Sequence, residues 1–329
     1  MPAAFDLPDV PVPLSPLVLG TMTFGDTVDR RGAATVLDMA LDAGVTGIDT
    51  ANVYAGGETE RILAELLPGR RERMVLATKA GIPHPDQGEH APLSRAGLQK
   101  ALDGSLARLG TDHVDLFYLH QPDPGTPIAE TLETVAEFAA KGRIRAFGVS
   151  NHSAWRIADL MRTADEVGAP QPAVAQQLHN LLARRIEEEF TDFVADPAAR
   201  GLRLMAYNAL AGGLLTGRYR AGEEPGDGRY ATSQLAGLYQ ERYWRQDMFE
   251  AVARLQSIAA DAGIPLADLA LRWLLHRAST DAVLIGCSSP AQLRANLAAA
   301  TAGPLPSDVA TACDEVGADL RGPMPTYHR

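Results

Sequence analysis

The 329-residue sequence contains very little cysteine. Its two cysteines, Cys287 and Cys313, are too few for a disulfide framework or a zinc cluster, so a reducing cytoplasm is the expected setting. The sequence also lacks any run of 18 apolar residues, and its N-terminus has no positively charged segment followed by an apolar one. We therefore expect no transmembrane helix, no secretory signal and no membrane partner.

Positive charge is in deficit as well. There are 30 lysines and arginines against 41 aspartates and glutamates, which gives a net charge of −11 and a pI near 5.2. Proteins that bind nucleic-acid phosphates present a basic face, so no nucleic-acid partner is expected. With 46% hydrophobic residues, a chain of this length can bury a large core, either as one α/β barrel or as two smaller domains.

Several phosphate-binding and metal-binding motifs are absent from the sequence. It contains no G-x-G-x-x-G after an early strand, no G-x-x-x-x-G-K-[ST] and no H-E-x-x-H. These absences disfavour a doubly wound dinucleotide fold, a P-loop and a zinc-peptidase helix respectively. No cluster has metal-ligand spacing, so no metal site is expected.

What the sequence does contain is an alternation of short apolar runs with amphipathic segments of helical length. Eight runs are strand candidates, at residues 16–20, 45–49, 74–79, 114–120, 144–151, 173–177, 203–208 and 282–286. Helix candidates lie between them, for example at 30–44, 94–110, 127–142 and 153–168. Apolar strands separated by helices indicate parallel βαβ units buried on both faces.

Eight such units predict a (β/α)₈ TIM barrel, and we expect a single domain over residues 1–329. Two regions interrupt the alternation. Residues 221–246 are too long for a plain connection and predict a long functional loop after the seventh strand. Residues 322–329, GPMPTYHR, predict an ordered C-terminal tail.

Polar residues occupy the ends of the predicted strands. From the second strand to the seventh these residues are Asp49, Lys79, His120, Ser150, Asn151, Gln176, Tyr207 and Asn208. Since the carboxyl ends of barrel strands meet at one face, we expect these side chains to lie together there. Tyr54, in the segment GIDTANVYAGGETERIL at 47–63, follows the second strand and should join them.

Four of these residues could form a proton-donating site. An ammonium beside a phenol lowers its pKa, so Lys79 could activate Tyr54 as an acid, while Asp49 keeps Lys79 protonated and oriented. His120 could hydrogen-bond the oxygen of a small carbonyl substrate. Taken singly, each residue has a structural alternative: a loop tyrosine, a strand-end lysine or a core histidine. The clustering favours the functional interpretation.

A proton donor for a carbonyl needs a hydride to accompany the proton, and protein side chains supply none. The site therefore implies a nicotinamide cofactor and carbonyl reduction. No activated serine or cysteine nucleophile is present, which disfavours hydrolysis.

The sequence resembles the aldo-keto reductases. The resemblance rests on LGTMTFG (19–25), the 47–63 segment, LATKAG (76–81), VDLFYLHQPDP (114–124), KGRIRAFGVSN (141–151) and GCSSPAQLRANL (286–297). It implies that Asp49, Tyr54, Lys79 and His120 form the catalytic tetrad. It also implies that Ser150, Asn151 and Gln176 bind the nicotinamide carboxamide, and that Tyr207 stacks on its ring.

A narrower resemblance is to the aflatoxin-aldehyde and succinic-semialdehyde reductase branch, through NALAGGLLTGRY (208–219), LYQERYW (238–244) and the terminal PTYHR. It implies a possible homodimer and NADPH as cofactor, with NADH possible. Asp49 is also an implied cofactor residue. The further implied cofactor residues are Asn208, Leu210, Gly212, Gly213, Leu214, Gly217, Arg218, Arg229, Gly286, Ser288, Ser289, Gln292 and Asn296.

The same branch implies a substrate pocket lined by His120, Tyr239, Arg242 and the C-terminal Arg329. Paired arginines suit a carboxylate, so succinic semialdehyde is the type of aldehyde expected. Two positions depart from the pattern: Ala209 replaces a proline, and Ser288 replaces the basic residue of the 2′-phosphate site. The second departure leaves NADPH preference to Ser288, Ser289, Gln292 and nearby arginines.

Two other functions compete with aldehyde reduction. A catalytically weak barrel that binds NADP(H) as a redox-sensing or regulatory subunit is the main alternative, and the complete tetrad favours the enzyme. A metal-dependent hydrolase barrel would need histidines at the first strand, and LVLGTMTFG (17–25) has none.

Overall fold

In the computed structural model, which describes residues 3–226 and 228–321, eight parallel strands close into a barrel in sequence order. They are β1 (Leu17–Gly20), β2 (Gly47–Asp49), β3 (Val75–Ala80), β4 (Val114–Leu119), β5 (Ile144–Ser150), β6 (Val174–Leu178), β7 (Arg203–Tyr207) and β8 (Ala282–Ile285). The barrel closes where β1 pairs with β8, with Val18 opposite Leu284. The predicted (β/α)₈ barrel is confirmed, and each predicted strand boundary lies within two residues of the observed one.

Helices follow the strands and cover the outside of the barrel. Their bounds are α1 (Arg30–Asp42), α2 (Glu58–Leu66), α3 (Arg95–Leu109), α4 (Ile128–Ala140), α5 (Ala154–Val167), α6 (Phe190–Ala195), α7 (Ala236–Tyr243), α8 (Gln246–Asp261), α9 (Leu266–Leu275), α10 (Pro290–Thr301) and α11 (Ser307–Arg321). None of the described helices is long and apolar enough to cross a membrane.

Local sequence sets the helix ends. The Asp29 carboxylate accepts a hydrogen bond from the Gly32 amide and so caps the first turn of α1, as the Ser94 hydroxyl does for Gly97 in α3. Helix α3 ends at Gly110, whose φ of 64° is the left-handed conformation that glycine adopts at little cost.

The interior of the barrel is a separate apolar core. Side chains such as Val75, Leu116 and Met205 fill it, and the N-terminal segment closes its lower end. Phe5 and Leu14 pair there as an antiparallel bridge, and both side chains are buried. Because this end of the barrel interior is filled, we expect a ligand at the opposite face, where the strands end.

The segment after β7 differs from its prediction. Residues 221–246 are not a plain loop, since they contain a short 3₁₀ turn at Gly228–Tyr230 and the helix α7. Tyr230, Tyr239 and Tyr243 of this segment are buried, and this burial explains why it is helical. The predicted C-terminal tail, 322–329, lies outside the described residues.

Candidate active site

Lys79 is the centre of a buried polar group at the carboxyl ends of β2 and β3. Its ammonium donates to the Asp49 carboxylate, to the carbonyl oxygen of Thr50 at 2.9 Å and to the Tyr54 hydroxyl at 3.1 Å. Lys79 and Asp49 are both almost fully buried. A charged pair removed from water keeps its charge only when its hydrogen bonds are satisfied, as the three donors of Lys79 are here.

The turn after β2 presents Tyr54 to this group. Tyr54 starts a 3₁₀ turn in which Ala55, Gly56 and Gly57 all have left-handed backbone, with φ of 45°, 61° and 88°. Two features disfavour a side chain at Gly57. Its backbone is left-handed, and a Cβ there would lie 2.8 Å from Cδ of Arg108. The turn is therefore held in one conformation.

Arg108 is itself fixed by two carboxylates, the buried Glu60 and the partly buried Asp86. Its Nε donates to Glu60 at 2.7 Å and its two terminal nitrogens to Asp86 at 2.9 and 2.7 Å. Glu60 also accepts from the Thr78 hydroxyl at 2.6 Å, beside Lys79. This network joins the Tyr54 turn to the strand that carries Lys79.

The pKa of Tyr54 is shifted in the opposite direction to the one that the sequence suggests. Burial raises the pKa of Tyr54 above its ordinary value, and the Lys79 charge only partly opposes this rise. The prediction that Lys79 gives Tyr54 a lowered pKa is therefore wrong in its net direction, although Lys79 itself acts as predicted. Burial alone would lower the pKa of Lys79, but Asp49 and Tyr54 outweigh it and raise that pKa.

His120 lies beside Tyr54, with ring centroids 6.1 Å apart and the rings edge to face. Burial, and secondarily the Lys79 charge, hold the pKa of His120 well below its usual range. The imidazole is thus neutral near neutral pH, and its buried Nδ1 has no partner among the described residues. A neutral imidazole has one N–H group, which can donate a hydrogen bond to a ligand oxygen.

One cavity of about 850 Å³ opens above this group. The predicted site residues that line it are Asp49, Tyr54, His120, Ser150, Asn151, Gln176, Tyr207, Asn208, Leu210, Gly212, Gly213, Arg218, Arg229, Tyr239, Arg242, Gly286, Ser288, Gln292 and Asn296. Lys79 does not line the cavity itself, but it contacts two residues that do, Asp49 and Tyr54. The expected gathering of strand-end residues at one face is confirmed.

Amide side chains connect the acid group to the next part of the cavity. Nε2 of Gln176 donates to the second carboxylate oxygen of Asp49 at 2.9 Å, and Nδ2 of Asn151 donates to the His120 carbonyl oxygen at 2.9 Å. The Tyr207 hydroxyl donates to Oδ1 of Asn151 at 2.7 Å. These bonds fix the amide groups in a row beside the acid.

Further along the cavity, the loop after β7 turns its backbone inward. Asn208 and Ala211 have positive φ of 65° and 48°, and the Asn208 side chain accepts from the Gly212 amide at 2.8 Å. Two of the predicted cofactor residues after β7 lie away from the cavity wall. Leu214 points into the apolar core, and Gly217 packs against the side chain of Gln256, so neither lines the cavity.

The far end of the cavity is formed by the start of α10. Ser288 donates from its amide and its hydroxyl to Oε1 of Gln292, at 2.8 and 3.0 Å. Ser289 does not line the cavity, because its hydroxyl caps α10 by accepting from the Gln292 amide. The role of Ser289 in cofactor binding stays a prediction.

Arg229 and Arg242 lie on the segment that covers the cavity. Nη1 of Arg229 donates to Oγ of Ser233 at 3.0 Å and approaches the Asp26 carboxylate at 3.4 Å. Arg242 lies near Tyr207, where its charge partly opposes the rise that burial causes in the pKa of Tyr207. Arg329 lies outside the described residues.

Some lining residues were missed by the sequence reasoning, namely Asp26, Val53, Ile82, Gln121, Leu235 and Leu238. Gln121 directly follows His120 and Ile82 lies shortly after Lys79, so nearness to a strand end was the available signal. Among the described residues, no group of three or more His, Cys, Asp or Glu side chains could hold a metal ion.

Comparison with known proteins gives consistent matches. The model of the aldo/keto reductase family matches residues 16–318. The human protein named aflatoxin B1 aldehyde reductase member 2 is 36% identical, over 97% of this chain and 91% of its own length. Human aldo-keto reductase family 7 member A3 is 37% identical, over 95% and 96%. An Arabidopsis thaliana protein named probable voltage-gated potassium channel subunit beta is 34% identical, over 86% of each chain.

Proposed function

The chain belongs to the aldo/keto reductase family, and from that premise we propose that it is an NADPH-dependent reductase of small aldehydes and dicarbonyls. One observation carries the proposal: the Lys79 ammonium contacts both the Asp49 carboxylate and the Tyr54 hydroxyl at the floor of the cavity. This arrangement fits a proton donor better than it fits any other chemical role.

In the proposed reaction Tyr54 gives its proton to the carbonyl oxygen of the aldehyde. Its raised pKa keeps it protonated at neutral pH, so the donor form is the resting form. Lys79 already touches the hydroxyl at 3.1 Å and stabilises the phenolate as it forms, without moving. Asp49 holds the ammonium in place by direct contact.

His120 would orient the aldehyde. Its ring borders the cavity beside Tyr54, and its lowered pKa leaves it neutral. A neutral N–H donor toward the carbonyl oxygen polarises the carbonyl and aligns it with the Tyr54 proton.

The cavity fits a nicotinamide dinucleotide. Ser150, Asn151 and Gln176 place amide and hydroxyl groups beside the acid, where a carboxamide could bind, and the ring of Tyr207 adjoins them. Gly286 has no side chain, and a Cβ there would meet nothing nearer than an atom 4.0 Å away, which leaves room for a flat ring. When bound, this cofactor supplies the hydride.

We propose a moderate preference for NADPH over NADH. Ser288, Gln292 and Asn296 line the far end, where the extra phosphate of NADPH would lie, and they can donate neutral hydrogen bonds. The cavity-lining arginines among the described residues are Arg218, Arg229 and Arg242, and Arg229 is already near Asp26. Fluorescence titration giving equal affinities, or tighter NADH, would reverse this preference.

We propose further that the favoured aldehyde carries a carboxylate. Arg242 borders the cavity near Tyr207 and Tyr239, and its guanidinium can hold a carboxylate by two parallel hydrogen bonds. Arg242→Gln should raise KM for succinic semialdehyde by roughly tenfold and leave KM for butanal unchanged. Arg245→Gln, which removes a nearby surface arginine paired with Asp247, is the matched control.

The test of the proposed function is NADPH oxidation across a panel of aldehydes with and without a carboxylate. Reduction with multiple turnovers supports the enzyme. One of the human relatives is named an aflatoxin B1 aldehyde reductase, which supports an aldehyde as substrate. A homodimer and a cytoplasmic location stay predictions.

The second candidate is a redox-sensing or regulatory subunit that binds NADP(H). The similarity to plant proteins named as potassium channel subunits supports it. It predicts tight NADPH binding with turnover near zero for every aldehyde in the panel, so the same assay separates the two functions.

A further inference from the structure

Three tyrosines of residues 228–243 hold the loop that follows β7. The Tyr230 hydroxyl donates to the carbonyl oxygen of Ala211 at 2.5 Å. The Tyr239 ring packs on Gly212 so closely that a Cβ there would lie 2.5 Å from a ring carbon. The segment that covers the cavity therefore also fixes the shape of the loop 208–213, which we call the cofactor loop.

Tyr243, the third of these residues, is buried on α7 and joins two amide side chains. Its hydroxyl oxygen accepts from Nδ2 of Asn208 at 2.9 Å and from Nδ2 of Asn180 at 3.0 Å. The orientation of both amides is fixed, because their oxygens accept from the backbone amides of Gly212 and Leu182. Both amide nitrogens must therefore face Tyr243.

The contact matters because Asn208 has an uncommon backbone conformation. Its φ of 65° lies in the left-handed region, which few residues other than glycine adopt, although asparagine does so more readily than most. Two bonds support this conformation from outside the loop: Nδ2 of Asn180 donates to the Asn208 carbonyl oxygen at 2.9 Å, and the Tyr243 hydroxyl holds the Asn208 side chain. Asn208 in turn orients the amide of Gly212 toward its own side chain.

Tyr243 is not among the described residues that line the cavity, so it has no direct contact with a ligand there. Its neighbours on α7, Leu238, Tyr239 and Arg242, do line the cavity. Helix α7 thus lines the cavity with some of its side chains and binds the cofactor loop through Tyr243.

We propose that Tyr243 is a positioning residue that holds the cofactor loop in its binding conformation through Asn208 and Asn180. This inference rests on the proposed function, namely that the cavity binds a nicotinamide dinucleotide. It assigns to Tyr243 an effect on cofactor affinity and none on proton transfer.

The test is Tyr243→Phe, which keeps the ring and removes only the hydroxyl that accepts both bonds. NADPH binding is followed by quenching of protein fluorescence. We expect the NADPH Kd to rise roughly tenfold, because the Asn208 side-chain amide loses its acceptor and the loop can leave its binding conformation. At saturating NADPH, kcat should stay within about twofold of wild type, because Tyr54 and Lys79 are untouched.

Asn180→Ala provides the second variant, and it also tests the contact if Tyr243→Phe fails to fold. Because Tyr243 and Asn180 are bonded to each other and both hold Asn208, the double variant should weaken NADPH binding by less than the product of the two single effects. Additive effects would show that Tyr243 and Asn180 act independently and would overturn the proposal.

The remaining outcomes separate this inference from the proposed function. A lowered melting temperature with unchanged NADPH Kd would mean that Tyr243 only stabilises the fold, and the inference alone would be overturned. Wild-type protein that does not bind NADPH at all would overturn the proposed cofactor and the inference together.

Discussion

The two ends of the cavity are built in different ways. At the acid end, side chains from adjacent strands converge on Lys79, and the barrel register fixes their distances. At the other end, which we propose binds the nucleotide and call the nucleotide end, the backbone of the cofactor loop lines the cavity, and packing by Tyr230, Tyr239 and Tyr243 fixes the shape of this loop. The acid end should therefore be sensitive to the loss of one functional group, and the nucleotide end to changes in backbone shape.

The largest expected effect is at the acid end. Tyr54→Phe removes only the hydroxyl that contacts Lys79, so carbonyl reduction should fall by at least ~10², the scale for a lost general acid. The NADPH Kd should stay near wild type, which serves as the internal control. Retained turnover would remove Tyr54 from the proposed role.

Lys79→Met should reduce kcat to a similar degree and also lower stability. It leaves the buried Asp49 carboxylate without its cation, which costs about 3–5 kcal/mol of unfolding free energy in comparable cases. Urea unfolding measures this loss. Lys100→Met, which removes an exposed lysine of α3, is the matched control, and an equal effect of the two variants would contradict the buried-pair account.

At the nucleotide end, Gly212→Ala should raise the NADPH Kd by roughly tenfold or more. The added Cβ would lie 2.5 Å from the Tyr239 ring at a φ of 66°, so the cofactor loop must shift. Gly263→Ala is the control, because its φ of 65° carries the same backbone cost with no atom within 4 Å. Equal NADPH affinity of the two variants would show that the loop shape is not what binds the cofactor.

The smallest expected effect is the response of reduction to pH. Reduction needs protonated Tyr54, and its raised pKa extends the protonated form to higher pH than a free tyrosine of pKa ~10. Neutral His120 persists at lower pH, because its pKa lies well below the ordinary ~6.5. We therefore expect kcat/KM at saturating NADPH to be flat between about pH 6 and 9. A step near pH 6.5 would mean that His120 titrates in the working enzyme.

The difference between the two ends also decides which site residues can be predicted from the sequence. Asp49, Lys79 and His120 could be placed together because parallel barrel strands all end at one face. Leu214, Gly217 and Ser289 belong to the same motifs as residues that line the cavity, yet none of them lines it. Leu214 lies in the apolar core, Gly217 packs against Gln256, and Ser289 caps helix α10. Motif membership does not encode the direction of a side chain in an irregular loop.

The net pKa shift of Tyr54 was also beyond the sequence. The sequence shows that a lysine is near and favours a lowered pKa, but burial depends on how the turn packs against the barrel. The helix α7 was missed for a related reason. Its stability comes from tyrosines that pack on the cofactor loop and not from a regular apolar stripe.

The most direct test of the account compares Tyr54→Phe and Gly212→Ala for both kcat of aldehyde reduction and the NADPH Kd. The account predicts a clean division: Tyr54→Phe lowers kcat by at least ~10² with unchanged Kd, and Gly212→Ala raises Kd with kcat nearly unchanged at saturating NADPH. If Tyr54→Phe weakened NADPH binding and left kcat intact, the acid end would be a cofactor-binding element and the central claim would be wrong.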